Sequence, residues 1–258
     1  MASQHAVYPS LAGRAIFITG GGSGIGASLT RAFCRQQAKV TFVDIADEES
    51  RALAEDVAAE TGVRPDYLPC DIRDITALQA AIETTRQRHG NISALVNNAA
   101  NDQRHRIEDV TVEYWDDRMA VNLRPMFFAA QAVLPQMREL GGGSIINFGS
   151  VSWRMGTPDV PAYASAKAAA HGLTRSLARD LGVHNIRVNT LVPGWVMTER
   201  QLTLWVTHEA EKVIDANQFL KARVQPEHIA NMALFLAADD SALCNAQEFI
   251  VDGGWVSS

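Results

Sequence analysis

Apolar positions along the chain fall into two textures. Short runs rich in Val, Ile and Phe, "AIFITG", "KVTFVDI", "DYLPCDI", "ALVNNAA", "SIINFGS", "IRVNTLVPG" and "EFIVDGG", alternate with longer stretches of amphipathic, helix-like pattern. The first texture predicts strands, several of them buried on both faces, and the second predicts helices. Helices are expected over residues 24–37, 47–61, 75–89, 112–138 and 162–181, with two further pieces between 200 and 238. Strand and helix in alternation predict a parallel sheet covered on both sides. Right-handed crossovers make this a doubly wound α/β sheet of seven strands, a Rossmann fold, whose ligands sit beyond the C-terminal strand ends.

Residues at those strand ends therefore carry the functional reading. In "TGGGSGIGA" five glycines crowd into residues 20–26, between the first strand and the first helix. A chain there must turn sharply and let a pyrophosphate reach backbone N–H groups, which side chains would block. The spacing, Gly20-x-x-x-Gly24-x-Gly26, is not the GxGxxG fingerprint, so a plain strand-to-helix turn is the competing reading. Asp44 ends the second strand, where a carboxylate would accept from ribose hydroxyls and repel a 2′-phosphate. No basic residue stands in the glycine loop and Ile45 follows Asp44, so NAD is expected in preference to NADP. Asp71 and the pair Asn97-Asn98 hold the equivalent places on the third and fourth strands, although Asp71 alone is more often a turn or cap residue and the Asn pair alone is equally a backbone-bonding turn.

Ser150 closes the fifth strand, and Tyr163 and Lys167 are spaced to share one helix face. A tyrosine with a pKa near its ordinary value of about 10 is a poor base at neutral pH. An ammonium and a positive nicotinamide beside it would favour the phenolate. In an alcohol oxidation Tyr163 would take the hydroxyl proton while Ser150 holds the substrate oxygen.

Taken in order, these motifs resemble the short-chain dehydrogenase/reductase family over essentially the whole chain. The resemblance implies cofactor contacts at Gly20, Ser23, Gly24, Ile25, Gly26, Asp44, Asp71, Ile72, Asn98, Ala99, Ala100, Tyr163, Lys167, Pro193, Gly194, Val196 and Thr198. Ala100 stands where the family usually has Gly. The resemblance also implies a fourth catalytic residue, Asn122, at a helix irregularity whose freed carbonyl helps relay the proton, and a homotetramer built on helices 112–138 and 162–181 with "DGGWVSS" near another contact. The wordings "NNAANDQRHRIEDVT" and "FLAADDSALCNAQEFIVDGGW" are similar to those of bacterial NAD-dependent D-xylose 1-dehydrogenases. That similarity implies oxidation of a cyclic aldose at C1 to an aldonolactone. Sugars present hydroxyls and flat C–H faces, so Asn101, Gln103, Trp153 and Trp195, with Ser150 and Tyr163, are the expected substrate contacts. The rival readings are a 3-oxoacyl thioester reductase and a dinucleotide-sensing protein without turnover.

Composition narrows the partners. The 258 residues carry 47% hydrophobic and 20% charged side chains and no linker, as expected of one globular domain with a dinucleotide-binding part over about 10–150 and a catalytic part over about 150–258. A net charge of -6 without a basic stripe argues against nucleic acid and anionic membranes. Cys34, Cys70 and Cys244 form no ligand cluster, so no metal is expected and the thiols read as reduced packing residues. "MASQHAVYPS" does not read as a leader and no apolar run is long enough to span a membrane, which makes the cytoplasm the expected location.

Overall fold

A computed structural model describes residues 6–256; the expectations resting on residues 1–5 and on Ser257 and Ser258 lie outside the described residues. The strands are β1 (Ala15–Thr19), β2 (Lys39–Asp44), β3 (Asp66–Pro69), β4 (Ile92–Asn97), β5 (Gly143–Phe148), β6 (Ile186–Pro193) and β7 (Glu248–Val251). They form one all-parallel sheet in the order β3-β2-β1-β4-β5-β6-β7. The helices are α1 (Gly24–Arg35), α2 (Asp47–Thr61), α3 (Ile75–His89), α4 (Val112–Asn122), α5 (Arg124–Glu139), α6 (Ser152–Met155), α7 (Pro161–Leu181), α8 (Glu199–Leu204), α9 (His208–Asn217) and α10 (Pro226–Ala237).

Side chains alternate across a strand, so a run that is apolar throughout needs a core on each face. Along β1, Ile16 and Ile18 join Leu29, Phe33 and Leu234 on one side, while Phe17 joins Leu78, Leu95 and Val133 on the other. Thr19 lies level with Val43 of β2 and Asn97 of β4. Strand order reverses between β1 and β4, which opens a crevice at their C-terminal ends. A buried polar chain ties α7 to that end of the sheet: Asn97 Nδ2 donates to Asn147 Oδ1 (2.9 Å), and Asn147 Nδ2 to Thr174 Oγ1 (3.0 Å).

Three local departures from the expected helices have identifiable causes. The stretch 112–138 is two helices, because Leu123 (φ -133°, ψ -54°) interrupts it. Pro125 has no N–H to continue the ladder, and the Met126 amide bonds Leu123 O (3.1 Å), so the Asn122 carbonyl is left out of the helical pattern. The stretch 200–238 holds three helices where two were expected, since Thr207 caps a new start at α9 by accepting from Ala210 N (3.2 Å). The short α6 was not expected; its four residues are too few to display a period.

Candidate active site

The glycine loop packs so tightly that side chains have no room. Gly20 has φ +66°, and a Cβ built on it would stand 2.7 Å from Ala99 Cα. At Gly26 the conflict is with backbone: its Cβ would fall 1.7 Å from Gly20 O. Ser23 precedes α1 without a side-chain cap, so the first-turn amides of that helix have no side-chain acceptor from their own N-cap. This is a cradle suited to a phosphate, with Ile25 beside it on the cleft wall. Asp44 faces the same loop: its Oδ2 accepts from Gly22 N (2.9 Å) and its Oδ1 from Ile45 N (2.8 Å). The chain's own residues therefore fit a dinucleotide.

Asn98 locks the crevice by donating to Thr19 O (3.1 Å) and Gly20 O (2.8 Å), and Ala99 N donates to Thr19 Oγ1 (3.1 Å). Ala100 is exposed, so its methyl has room. Asp71 lies farther along the strand ends, paired with Arg73, whose hydrogen bonds hold the carboxyl below the usual range against its partial burial. Ile72 is buried in the core shared with Leu78 and Val43.

Beside the loop opens a cleft of about 260 Å³ lined by Ser150, Tyr163, Lys167, Pro193, Gly194, Trp195, Val196 and Thr198. Ser150 enters it directly beyond β5, while α7 carries Tyr163 and Lys167. Lys167 is buried and donates to Phe148 O (2.8 Å); its Nζ is 5.7 Å from the Tyr163 ring centroid. Burial pushes the Tyr163 phenol well above its ordinary value, with the Ser150 hydroxyl drawing it back and the Asp102 carboxylate raising it further. Burial also pushes the Lys167 ammonium down to about 7, opposed by Asp102. Burial dominates both shifts, and a positive charge brought to the cleft would favour the phenolate.

Asn122 is fully buried outside the cleft lining. Its Oδ1 accepts from Asn101 N (2.9 Å) and its Nδ2 donates to Asn101 O (3.1 Å), pinning the loop after β4. Of the expected substrate residues, Trp195 lines the cleft, but Asn101, Gln103 and Trp153 do not. Asn101 spends its side-chain oxygen on Gln103 N (3.0 Å), and Gln103 is exposed. Trp153 turns away to donate its Nε1–H to His171 Nε2 (3.1 Å). Asp102, Arg104, Met155 and Gln201, which sequence reasoning did not single out although they lie in the irregular segments beside the residues it did, line the cleft. The signal available for Asp102 was its place between two amides that had been singled out.

Residues 20–256 match the family described as Enoyl-(Acyl carrier protein) reductase. The chain is 51% identical to a D-xylose 1-dehydrogenase of Caulobacter vibrioides (strain NA1000 / CB15N), over 97% of this chain and 98% of that protein. The chain belongs to the short-chain dehydrogenase/reductase family. It is 49% identical to a Rhizobium meliloti (strain 1021) protein named "Probable galactose dehydrogenase GalD", over 96% of both chains. A solved gluconate 5-dehydrogenase from Burkholderia cenocepacia J2315, in complex with NADP and tartrate, superposes with a TM-score of 0.88 at 32% identity, covering 96% of this chain and 97% of that one. Members of this family use nicotinamide dinucleotides, in keeping with the cradle above. No helix among the described residues is long and apolar enough to cross a membrane, and these residues contain no group of three or more metal-ligating side chains.

In this short-chain dehydrogenase the wall between Ser150 and Tyr163 is braced from behind. His171 is buried, with Nδ1 2.8 Å from Glu248 Oε1, and Arg154 pairs with the same carboxylate. Burial alone would raise Glu248, but hydrogen bonds from His171 and Arg154 outweigh it and hold the carboxyl below the ordinary range. A depressed carboxyl contributes stability above its unfolded pKa, about 4.3, and loses it as pH falls through the folded value. Glu248→Gln is expected to lower Tm at pH 7 and to lower it by less at about pH 3, the gap narrowing as pH falls below about 4.3 toward and through the depressed folded value. Equal gaps in Tm at both pH values would contradict this.

Proposed function

We propose that this chain oxidises a cyclic aldose at C1 to the aldonolactone, with NAD as the hydride acceptor. What supports this most is the 51% identity, over nearly the whole of both chains, to a D-xylose 1-dehydrogenase. The hydroxyls of Ser150, Tyr163 and Thr198 beside the Trp195 ring, set in a lining rich in apolar residues, are in keeping with a sugar that presents both hydroxyls and C–H faces. A bound NAD+ would supply the acceptor for the C1 hydride and a positive charge that favours an ionised Tyr163. Tyr163 takes the C1 hydroxyl proton, Ser150 holds the oxygen, and Lys167, with waters held by the Asn122 carbonyl, passes the proton outward. Gly20, Ser23, Gly24, Ile25 and Gly26 would hold the pyrophosphate of a bound dinucleotide, and Asp44 its adenosine ribose. Asp71 and Ile72 would stand at the adenine end, Asn98, Ala99 and Ala100 would back the cofactor, and Pro193, Gly194, Val196 and Thr198 would line the nicotinamide end.

The protein acts in this reading as one domain in the cytoplasm. It assembles as a homotetramer, for which the exposed Val112, Trp115 and Phe127 on α4 and α5 offer an apolar face. The test is NADH formation with NAD+ or NADP+ and a panel of D-xylose, L-arabinose, D-galactose, L-fucose, D-glucose and simple secondary alcohols. NAD+-dependent oxidation of one or a few sugars is expected. Silence with every sugar would refute the substrate class, and turnover of 3-oxoacyl thioesters instead would install the main rival. For the cofactor, Asp44→Ala with Ile45→Arg is expected to move the NADP/NAD ratio of kcat/KM upward by about tenfold or more, through lost repulsion and a new phosphate partner. An unmodified enzyme that already prefers NADP would overturn this assignment of Asp44.

A further inference from the structure

One carboxylate faces the catalytic pair across the cleft, and the proton chemistry above makes no use of it. Asp102, in the loop after β4, lines the cleft with 30% of its side chain exposed. Its Oδ2 accepts from Gln201 Nε2 (2.6 Å), and its Oδ1 lies 3.4 Å from Arg200 Nε. Gln201 Oε1 in turn accepts from the Trp195 indole N–H (3.1 Å). An indole can only donate and an ionised carboxylate can only accept, so this chain of bonds fixes which way the Gln201 amide points. It also joins the loop after β4 to α8 and to the segment after β6, so Asp102 is held in place from the opposite wall.

An ionised carboxylate offers about four acceptor positions and no donor. Gln201 occupies one and Arg200 a second, weakly, which leaves about two for a ligand. The charge reaches the catalytic residues, since Asp102 raises both Tyr163 and Lys167. Arg104, the other fixed charge on this wall, lays its guanidinium over the Trp205 ring at 4.3 Å. A ligand with neighbouring hydroxyls would satisfy the remaining acceptor positions, whereas an alkyl chain would strip water from them and give nothing back.

We propose that Asp102 is the substrate-reading residue of the cleft: held by Gln201, it accepts hydrogen bonds from hydroxyls of a neutral polyhydroxy substrate and turns away substrates carrying a negative charge at that end. The assignment rests on the sugar-oxidation reading and goes beyond it by naming the residue that selects the substrate.

The test compares the unmodified enzyme with Asp102→Asn on D-xylose, its monodeoxy analogues, and the matched pair D-galactose and D-galacturonate. Asn keeps the shape and can still accept from Gln201. KM for D-xylose is expected to rise about tenfold or more with a smaller change in kcat, as for loss of a charged hydrogen-bond acceptor. At least one deoxy analogue should cost the unmodified enzyme about tenfold in kcat/KM and cost the variant almost nothing further. Discrimination against galacturonate should shrink in the variant. Titration with NADH, followed by protein fluorescence, should be unchanged and reports that the variant is folded. If the variant fails that titration, the unmodified enzyme decides alone: no deoxy penalty above about twofold, together with ready use of galacturonate, overturns the proposal. A variant that keeps the parental KM and deoxy penalties overturns the assignment of Asp102 and leaves sugar oxidation standing. An unmodified enzyme that oxidises only monohydric alcohols overturns both.

Discussion

Tyr163→Phe is expected to lower kcat by about 10²- to 10⁴-fold while leaving NADH affinity within a few-fold of the parent. The substitution removes one oxygen, the proton acceptor, from a ring that α7 continues to hold beside Ser150 and Lys167. It touches neither the glycine loop nor Asp44, so binding and turnover separate. Single-turnover NADH formation and a fluorescence titration on the same preparation read the two quantities. Turnover close to the parent would mean that another group takes the proton. A parallel loss of NADH affinity would mean that Tyr163 is chiefly a cofactor contact.

Gly26→Ala has the opposite signature: cofactor binding is lost at the outset. The new Cβ would stand 1.7 Å from Gly20 O and 2.9 Å from Gly21 Cα, both backbone atoms with no rotamer to change. The loop would have to move, and α1 would shift with it, because Thr30 Oγ1 donates to Gly21 O (3.0 Å) in the buried core. The expected result is a fall in NADH affinity of at least about a hundredfold, with a lower Tm, in line with the cost of overpacking a close backbone contact. Affinity equal to that of the parent would show that the loop has slack and that its glycines do not answer to close packing.

How far the sequence alone reached depends on whether a feature is local. β1 through β7 were legible because each is a short run rich in β-formers between helix-like stretches, the inner ones buried on two faces, and the strand-to-helix turn at Gly20 to Gly26 declares itself by composition. Tyr163 and Lys167 were legible as neighbours because a helix period relates them. The break at Leu123 was invisible to the helical pattern, which does not weigh the loss of one N–H at Pro125, and only the family resemblance implied an irregularity at Asn122. The cleft walls were the least legible. Asn101 and Gln103 are chemically suitable for a sugar, but backbone bonding from Asn122 and their own loop turns them away, and Asp102 between them faces in. Trp153 was drawn out of reach by His171, a partner 18 positions distant. Gln201 reached the cleft through a bond to Asp102 across 99 positions. Long-range partners of this kind leave no period and no motif.

The central claim is that hydride leaves C1 of a sugar for the cofactor, and the direct test is isotopic. The unmodified enzyme is supplied with NAD+ and D-xylose carrying deuterium at C1, and the reduced cofactor and the sugar product are analysed by mass spectrometry and NMR. The account predicts NADH heavier by one deuterium, a xylonolactone or its hydrolysed acid free of the label, and a slower rate than with unlabelled sugar if hydride transfer limits turnover. Unlabelled NADH, or deuterium retained in an oxidised sugar, would place the reaction at another carbon and contradict the C1 reading.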